Sequence, residues 1–275
     1  LKATIMAKER YVLATGEEGA YRLSMVDAVH GADTRAFLNR LAVPDSALIA
    51  DVGCGVGVVS CMLAQEYVPN GQVVGVDISP AQVTAARQRA ERAGIANAHF
   101  VAARAYQTGL ERSAFDVVYS RFMLMHLQNP ADALREMASL LRPGGILAVE
   151  DGDFTTPFCW PPCPAFTRCF ALYRALGELH REDFLIGQKL YALVCTLGLE
   201  TVQVTLAQPI FTQGAAKRLP ELTLVEAAPV FIEAGLATQE EIDALASEME
   251  AYSADPTTVI GMARMMQVAA RKRAD

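Results

Sequence analysis

An aspartate closing an apolar run, followed by three glycines at alternate positions, is the first feature of this chain that can do chemistry. It lies in LIADVGCGVGVVS, residues 48–60, and comprises Asp51, Gly53, Gly55 and Gly57. Glycines so placed let the backbone turn tightly and approach a ligand, and a helix starting just beyond them offers unpaired N–H groups. A nucleotide-like ligand is the expected occupant. The pyrophosphate-binding pattern Gly-x-Gly-x-x-Gly needs glycine at position 58, where this chain has Val58. The Asp51 carboxylate would also repel a pyrophosphate, whereas it suits a cation or an amine. Further on, VVGVD ends in Asp77, about twenty residues past the glycines, where an acidic side chain accepts both hydroxyls of a ribose. Asp77 could instead cap a helix, but Ser79 followed by Pro80 is the better helix start. An adenosine moiety is implied.

Those residues need elements to hold them. Strand-like runs (ALIADVG, GQVVGVDIS, AHFVAAR, FDVVYSRF, GGILAVED) alternate with helix-like ones (VVSCMLAQEY, PAQVTAARQRAERAG and a stretch over roughly 130–142). Short strands apolar on both faces, each followed by a helix, predict an α/β, Rossmann-like parallel sheet covered on both sides. The expected segments are an N-terminal helical lead-in over 1–46, a ligand-binding core over 47–153, and a cap or substrate insertion over 154–186. A C-terminal part, 187–275, returns to the sheet and carries a helical insertion at about 215–253. The last element, GMARMMQVAARKR, fits strand and helix periods equally.

Composition narrows the function classes. The 275 residues are 52% hydrophobic and 20% charged, which excludes a disordered or collagen-like chain. A net charge of −7 opposes binding to a phosphate backbone, and the one basic cluster, Arg271, Lys272 and Arg273, reads as a solvated tail. No apolar run reaches the ~18 residues of a membrane span. The N-terminal residues lack a signal-peptide apolar core, so a soluble cytoplasmic protein is expected. Six scattered cysteines show no disulfide framework. Cys159, Cys163 and Cys169 form no Cys-x-x-Cys knuckle, so reduced thiols and no metal are expected.

Taken together, Asp51-x-Gly53-x-Gly55-x-Gly57, VVGVDIS, AFDVVYSRFMLMHL and LLRPGGILAVED resemble the class I S-adenosylmethionine-dependent methyltransferases. Within them, the chain is similar to the small-molecule group of ubiquinone/menaquinone biosynthesis and natural-product enzymes. The resemblance covers residues 45–153. It implies a seven-stranded sheet of order 3-2-1-4-5-7-6 with the last strand antiparallel, which assigns GMARMMQVAARKR to a closing strand. It also implies S-adenosylmethionine as cofactor. Gly53, Cys54 and Gly55 then pass under its methionine moiety, with Asp51 near the amino group. Asp77 holds the ribose hydroxyls, Gln82 reaches the same ribose, and Ile78 packs on the adenine. Where many members carry an aspartate for the adenine amino group, this chain reads Ala103-Arg104-Ala105. Arg104 cannot accept that hydrogen bond, so main chain near Ala103 and Ala105, or Tyr106, must serve. Ser120 and Arg121 fall beside the methionine tail, and Arg121 either pairs with its carboxylate or solvates a loop.

Transfer from a sulfonium needs positioning more than covalent help. Where an oxygen or nitrogen acceptor must lose a proton, His126 and Asp151 are the leading candidate bases. Glu150 and Asp153 are candidates beside them, and Tyr106, Tyr21 and His180 are outer ones. The acids of EDGD read equally as water-exposed loop residues. Met123 and Met125 read as core filler. The aromatic stretch around Trp160 suggests a partly hydrophobic acceptor, or simply packing of the cap. The expected activity is methyl transfer to a small organic acceptor at O, N or C. The alternatives are a non-catalytic binder of cofactor or metabolite and an NAD-dependent dehydrogenase. Expected partners are a small-molecule substrate, no nucleic acid, no membrane and at most a second copy as a homodimer.

Overall fold

The computed structural model describes residues 17–274, with side chains from Met25 onward. Residues 1–16 of the expected lead-in and the Tyr21 side chain lie outside the described residues. Helix α1 (Glu17–Asn39) leads into β1 (Leu48–Val52), then α2 (Val58–Met62), which continues as one wide turn over Leu63–Tyr67. Next come β2 (Gln72–Asp77), α3 (Pro80–Arg92), β3 (Ala98–Ala102), β4 (Phe115–Arg121), α4 (Pro130–Leu140) and β5 (Leu141–Asp153). The remainder is β6 (Phe158–Trp160), α5 (Pro164–His180), α6 (Ile186–Cys195), β7 (Glu200–Ala207), β8 (Ile210–Phe211), α7 (Leu219–Glu233), α8 (Gln239–Ala254), β9 (Val259–Gly261) and β10 (Arg264–Arg271).

Seven strands form the main sheet in the order β3-β2-β1-β4-β5-β10-β7. Numbered within that sheet alone, this is 3-2-1-4-5-7-6, and β10 runs antiparallel to both neighbours. The segment with an ambiguous period is therefore a strand. Alternation along each strand divides the core in two. Ala50, Val52, Val118, Leu147 and Val149 face the helices α4 to α7. Ile49, Val117, Tyr119, Ile146 and Ala148 face α2 and α3.

Three sequence expectations change. EDGD is no exposed loop: β5 runs through Asp153, and Glu150, Asp151 and Asp153 are all buried. A second sheet, β6-β9-β8, was not foreseen. Trp160 stands on it with 66% of its surface exposed, so it does not wall a ligand cavity. The basic C-terminus is tied down: Arg271 donates to the Gly144 carbonyl (2.9 Å) and Lys272 to that of Leu141 (2.7 Å).

Helices α5, α7 and α8 form one layer, packing on one another and, through α7, on α1. It is pinned by Lys217, a lysine with no exposed surface. Its Nζ donates to the carbonyls of Thr212 (3.1 Å), Asp255 (2.7 Å) and Thr258 (2.9 Å) and to Thr258 Oγ1 (2.6 Å). Methionine fills the same volume but leaves these acceptors unpaired. Lys217→Met is expected to cost about 1–3 kcal/mol of stability, read by urea unfolding. No helix among the described residues is long and apolar enough to cross a membrane.

Candidate active site

A cavity of about 1030 Å³ opens at the C-terminal ends of β1, β2 and β4, walled by α1, α5 and α7. One half is the glycine loop. Gly53 (φ 84°), Gly55 (φ 52°) and Gly57 (φ 74°) adopt the left-handed backbone that favours glycine. The N–H groups of Gly53 (2.8 Å) and Cys54 (3.0 Å) both donate to the Val76 carbonyl, which clamps the loop to the end of β2. A Cβ on Gly53 would come within 2.4 Å of Met123 Cγ, so the loop passes where no larger residue fits.

Two carboxylates flank that loop. Asp77 accepts from the Gly55 N–H and the Ser79 N–H, each at 2.9 Å. Burial pushes its carboxyl above the usual range, against those two donors. Its remaining lone pairs line the cavity, and Ile78 beside it is 41% exposed, an apolar side chain held at the cavity wall. Asp51 is buried and accepts from Ser60 Oγ at 2.5 Å. Desolvation pushes its pKa up to about 6, opposed by the Ser60 hydroxyl and the Arg121 guanidinium and assisted by Asp77.

Arg121 lines the cavity rather than an open loop. It is buried in the cavity wall and donates from Nη1 to Thr34 Oγ1 and from Nη2 to Asp27 Oδ1, both at 3.1 Å, tying β4 to α1. Its cross-strand neighbour Glu150 accepts from Tyr119, from Gln267 Nε2 (2.6 Å) and from Thr34 Oγ1 (3.3 Å). Gln267 Nε2 also donates to the Asp33 carbonyl of α1 (3.2 Å), and its Oε1 accepts from Thr205 of β7 (2.8 Å). A buried polar row thus runs from the edge strand to α1.

Of the residues expected at the ligand, Asp51, Gly53, Cys54, Gly55, Asp77, Ile78, Ala103, Ala105, Arg121 and His126 line the cavity. Four do not. Gln82 is buried on α3, with its backbone N–H capped by Ser79. Arg104 is exposed, in a backbone bridge with Gln107. Ser120 points to the opposite sheet face from Arg121, as alternation requires, and is buried. Asp151 likewise alternates away from Glu150, and accepts from the N–H groups of Gly152 (2.9 Å) and Met125 (3.3 Å). Burial there pushes its pKa up to about 7.

The outer candidates Tyr106 and His180 reach the cavity, whereas the candidate bases Glu150 and Asp153 are held elsewhere. Asp153 accepts from Thr155 and from Gln188 Nε2 (2.8 Å). His126 sits in the wall with Nδ1 3.9 Å from a Glu182 carboxylate oxygen. Met123 and Met125 also line the cavity rather than only filling the core.

The other half of the cavity is an aromatic enclosure. Phe154 packs against Phe170 (5.6 Å between centroids), Tyr173 (5.7 Å) and Phe184 (5.2 Å), and Phe122 closes the side toward α1. Sequence reasoning missed His30, which lines the cavity from α1 and stacks edge-on against Phe122 at 4.9 Å. Its signal was the i, i+4 spacing Val26, His30, Thr34, which puts all three on one helical face. No cluster of three or more His, Cys, Asp or Glu that could hold a metal is present among the described residues.

A family model described as a methyltransferase domain matches residues 45–198. The chain is 29% identical over 162 residues to a ubiquinone biosynthesis O-methyltransferase of Xanthomonas axonopodis pv. citri, covering 59% of this chain and 66% of that protein. It is 33% identical over 145 residues to a demethylmenaquinone methyltransferase of Listeria welshimeri, covering 52% and 59%. The matched stretch therefore spans less than two thirds of either relative's own length. Among solved structures, a phosphoethanolamine N-methyltransferase of Haemonchus contortus superimposes with a TM-score of 0.56 at 16% identity, over 91% of this chain and 57% of that one. A geranyl diphosphate C-methyltransferase of Streptomyces coelicolor does so at 0.54 and 12% identity, over 94% and 85%. At these identities the structures share the fold.

Proposed function

The chain belongs to the methyltransferase-domain family, and on that premise we propose that it moves a methyl group from S-adenosylmethionine to a small organic acceptor. The observation that carries the proposal is one cavity with two chemically distinct halves. The glycine loop, Asp51, Asp77 and Ile78 fit an amino-acid-bearing nucleoside, and the aromatic enclosure fits an apolar acceptor. When bound, S-adenosylmethionine supplies an activated methyl group on a sulfonium.

The chain's own residues do the rest. Asp77 accepts the ribose hydroxyls with the lone pairs its two backbone donors leave open. Ile78 covers the adenine, and main chain at Ala103 and Ala105 meets its edge in place of Arg104, whose side chain is exposed. Asp51 faces the ammonium group. The enclosure built on Phe154 excludes water and holds the acceptor in line, an effect worth about 7–11 kcal/mol of barrier when the geometry is near attack. Val58 and the Asp51 carboxylate speak against a dinucleotide in the same loop. The six cysteines are free and the net charge is −7, in keeping with a cytoplasmic enzyme that does not act on nucleic acid.

Calorimetric titration with S-adenosylmethionine, S-adenosylhomocysteine and NAD in parallel tests the reading. Binding of the first two at about micromolar Kd, with none of NAD, is the expected result. Binding of NAD alone would overturn it, and cofactor binding with no transfer to any of a panel of phenols and amines would leave a binding protein. A pH series sharpens the test. Burial favours the neutral form of Asp51, so below about 6 the carboxyl is protonated and loses its attraction for an ammonium. Affinity for S-adenosylmethionine is expected to rise between about pH 5 and pH 7, whereas that for methylthioadenosine, which has no ammonium, stays level. Asp51→Asn should abolish the rise; a rise of equal size for both ligands would disprove the assignment.

A further inference from the structure

We propose that His30 binds the methyl acceptor, and that the acceptor is a neutral, flat, apolar molecule carrying a hydroxyl that pairs with His30 Nδ1. This rests on the methyl-transfer reading and assigns the acceptor half of the same cavity.

The argument starts from an orphaned polar atom. His30 is 4% exposed, lines the cavity, and its Nδ1 has no hydrogen-bond partner among the described residues. A buried polar group left unpaired is costly, and such groups in folded proteins ordinarily have a partner. Near His30, Arg121 is engaged by Asp27 and Thr34, and Asp51 by Ser60; farther along the wall the Tyr173 hydroxyl donates to the Thr223 carbonyl at 2.7 Å, and His126 Nδ1 and a Glu182 carboxylate oxygen lie 3.9 Å from each other.

Position and charge then select the partner. His30 stands where the two halves of the cavity meet, between Arg121 and the Phe122 ring. The helix that carries it is bolted down on the same side by the Asp27–Arg121 ion pair and the Thr34–Glu150 hydrogen bond, so the imidazole is preorganised. Burial, reinforced by the Arg121 charge, pulls its pKa down to about 3, and the ring is neutral at physiological pH. Nδ1 of a neutral imidazole is a donor in one tautomer and an acceptor in the other. A hydroxyl satisfies either, whereas an ammonium can only donate and an ether only accept. The guanidinium nearby also opposes a cationic acceptor at this end. Beyond His30, the rings of Phe122, Phe154, Phe170 and Phe184 form walls suited to a planar apolar body, which edge and offset contacts would hold.

The test uses 2-naphthol and naphthalene, which lacks the hydroxyl, titrated calorimetrically into the protein saturated with S-adenosylhomocysteine. Wild type should bind the naphthol about tenfold more tightly than naphthalene, the effect of one buried hydrogen bond. In His30→Leu, which removes the orphan and keeps an apolar side chain, the two ligands should bind alike. His30→Asn, whose amide reaches the Nδ1 position, should retain most of the preference. Both variants should hold S-adenosylhomocysteine to within about twofold of wild type. Absence of naphthol binding, equal affinities in wild type, or a preference that survives in His30→Leu would each overturn the proposal. Should wild type fail to bind S-adenosylhomocysteine, the same titrations run on the free protein separate the two ideas. A hydroxyl preference lost in His30→Leu then upholds His30 as a ligand anchor and sinks the methyl-transfer reading alone.

Discussion

Replacing Asp77 by asparagine will weaken S-adenosylmethionine binding by about ten- to a hundredfold while the protein remains folded. Asparagine has nearly the same size, so the cavity is unchanged. What is lost is the charge and one of two acceptor oxygens. Both oxygens are used in the free protein, Oδ2 by the Gly55 N–H and Oδ1 by the Ser79 N–H, each at 2.9 Å. An amide presents its NH₂ to one of those donors, so the glycine loop loosens just where a ribose would also need an acceptor. Hydrogen bonds to a charged group contribute about 1.5–3 kcal/mol each, which sets the range. Calorimetry gives the affinity, and thermal unfolding of the free protein shows that the fold survives. Affinity within about twofold of wild type, in a folded variant, would remove Asp77 from the ribose site.

Removing Glu150 has the largest expected cost to stability. Glu150→Ala should destabilise the protein by about 3–5 kcal/mol, because it leaves the buried donors on Tyr119, Gln267 and Thr34 without their acceptor and removes a negative charge near Arg121, which keeps only its ion pair with Asp27. For a chain of this size that lowers Tm on the order of 10 °C. Burial is the strongest influence on Glu150 and pushes its carboxyl up, and Arg121 and the three donors act against it. Glu150→Gln keeps the shape and should lose less. A Glu150→Ala variant as stable as wild type would mean that the polar row is ornamental. Since Glu150 does not touch the cavity, its effect on cofactor affinity should follow stability alone.

The parts of the site readable in the sequence are those whose chemistry is local. Glycines at 53, 55 and 57 are needed for left-handed backbone, and a strand-end aspartate is placed by the run of apolar residues before it; neither depends on distant contacts. The order of the main sheet came from family resemblance, since the period of GMARMMQVAARKR is compatible with a helix. Residues whose position depends on which sheet face they occupy were harder to read. Gly152 and Asp153 look like turn formers, so β5 seemed to stop early, and the alternation that separates Glu150 from Asp151 was not applied. Gln82 and Ser120 were carried over from a motif, but α3 and β4 bury them away from the cavity. His30 was concealed among the core residues Met25, Val29, Phe37 and Leu38 of one helix, and only docking against β4 gives it a purpose.

The helix that precedes the described strands is held by β10, which follows nearly every other described element. Gln267, on β10, bonds the Asp33 carbonyl across a separation of 234 residues, and the Thr34–Glu150 contact spans 116. At about 5–20 residues per second of synthesis, roughly 10–50 seconds pass between the appearance of Asp33 and that of its partner. In the second half of that interval β1 to β5 can already pair among themselves, but α1 has no complete surface to settle on. His30 and the partners of Arg121 are not in place. A nascent chain can therefore assemble the glycine-loop side of the cavity before the wall that α1 supplies, which is held in full only when β10 has joined the sheet.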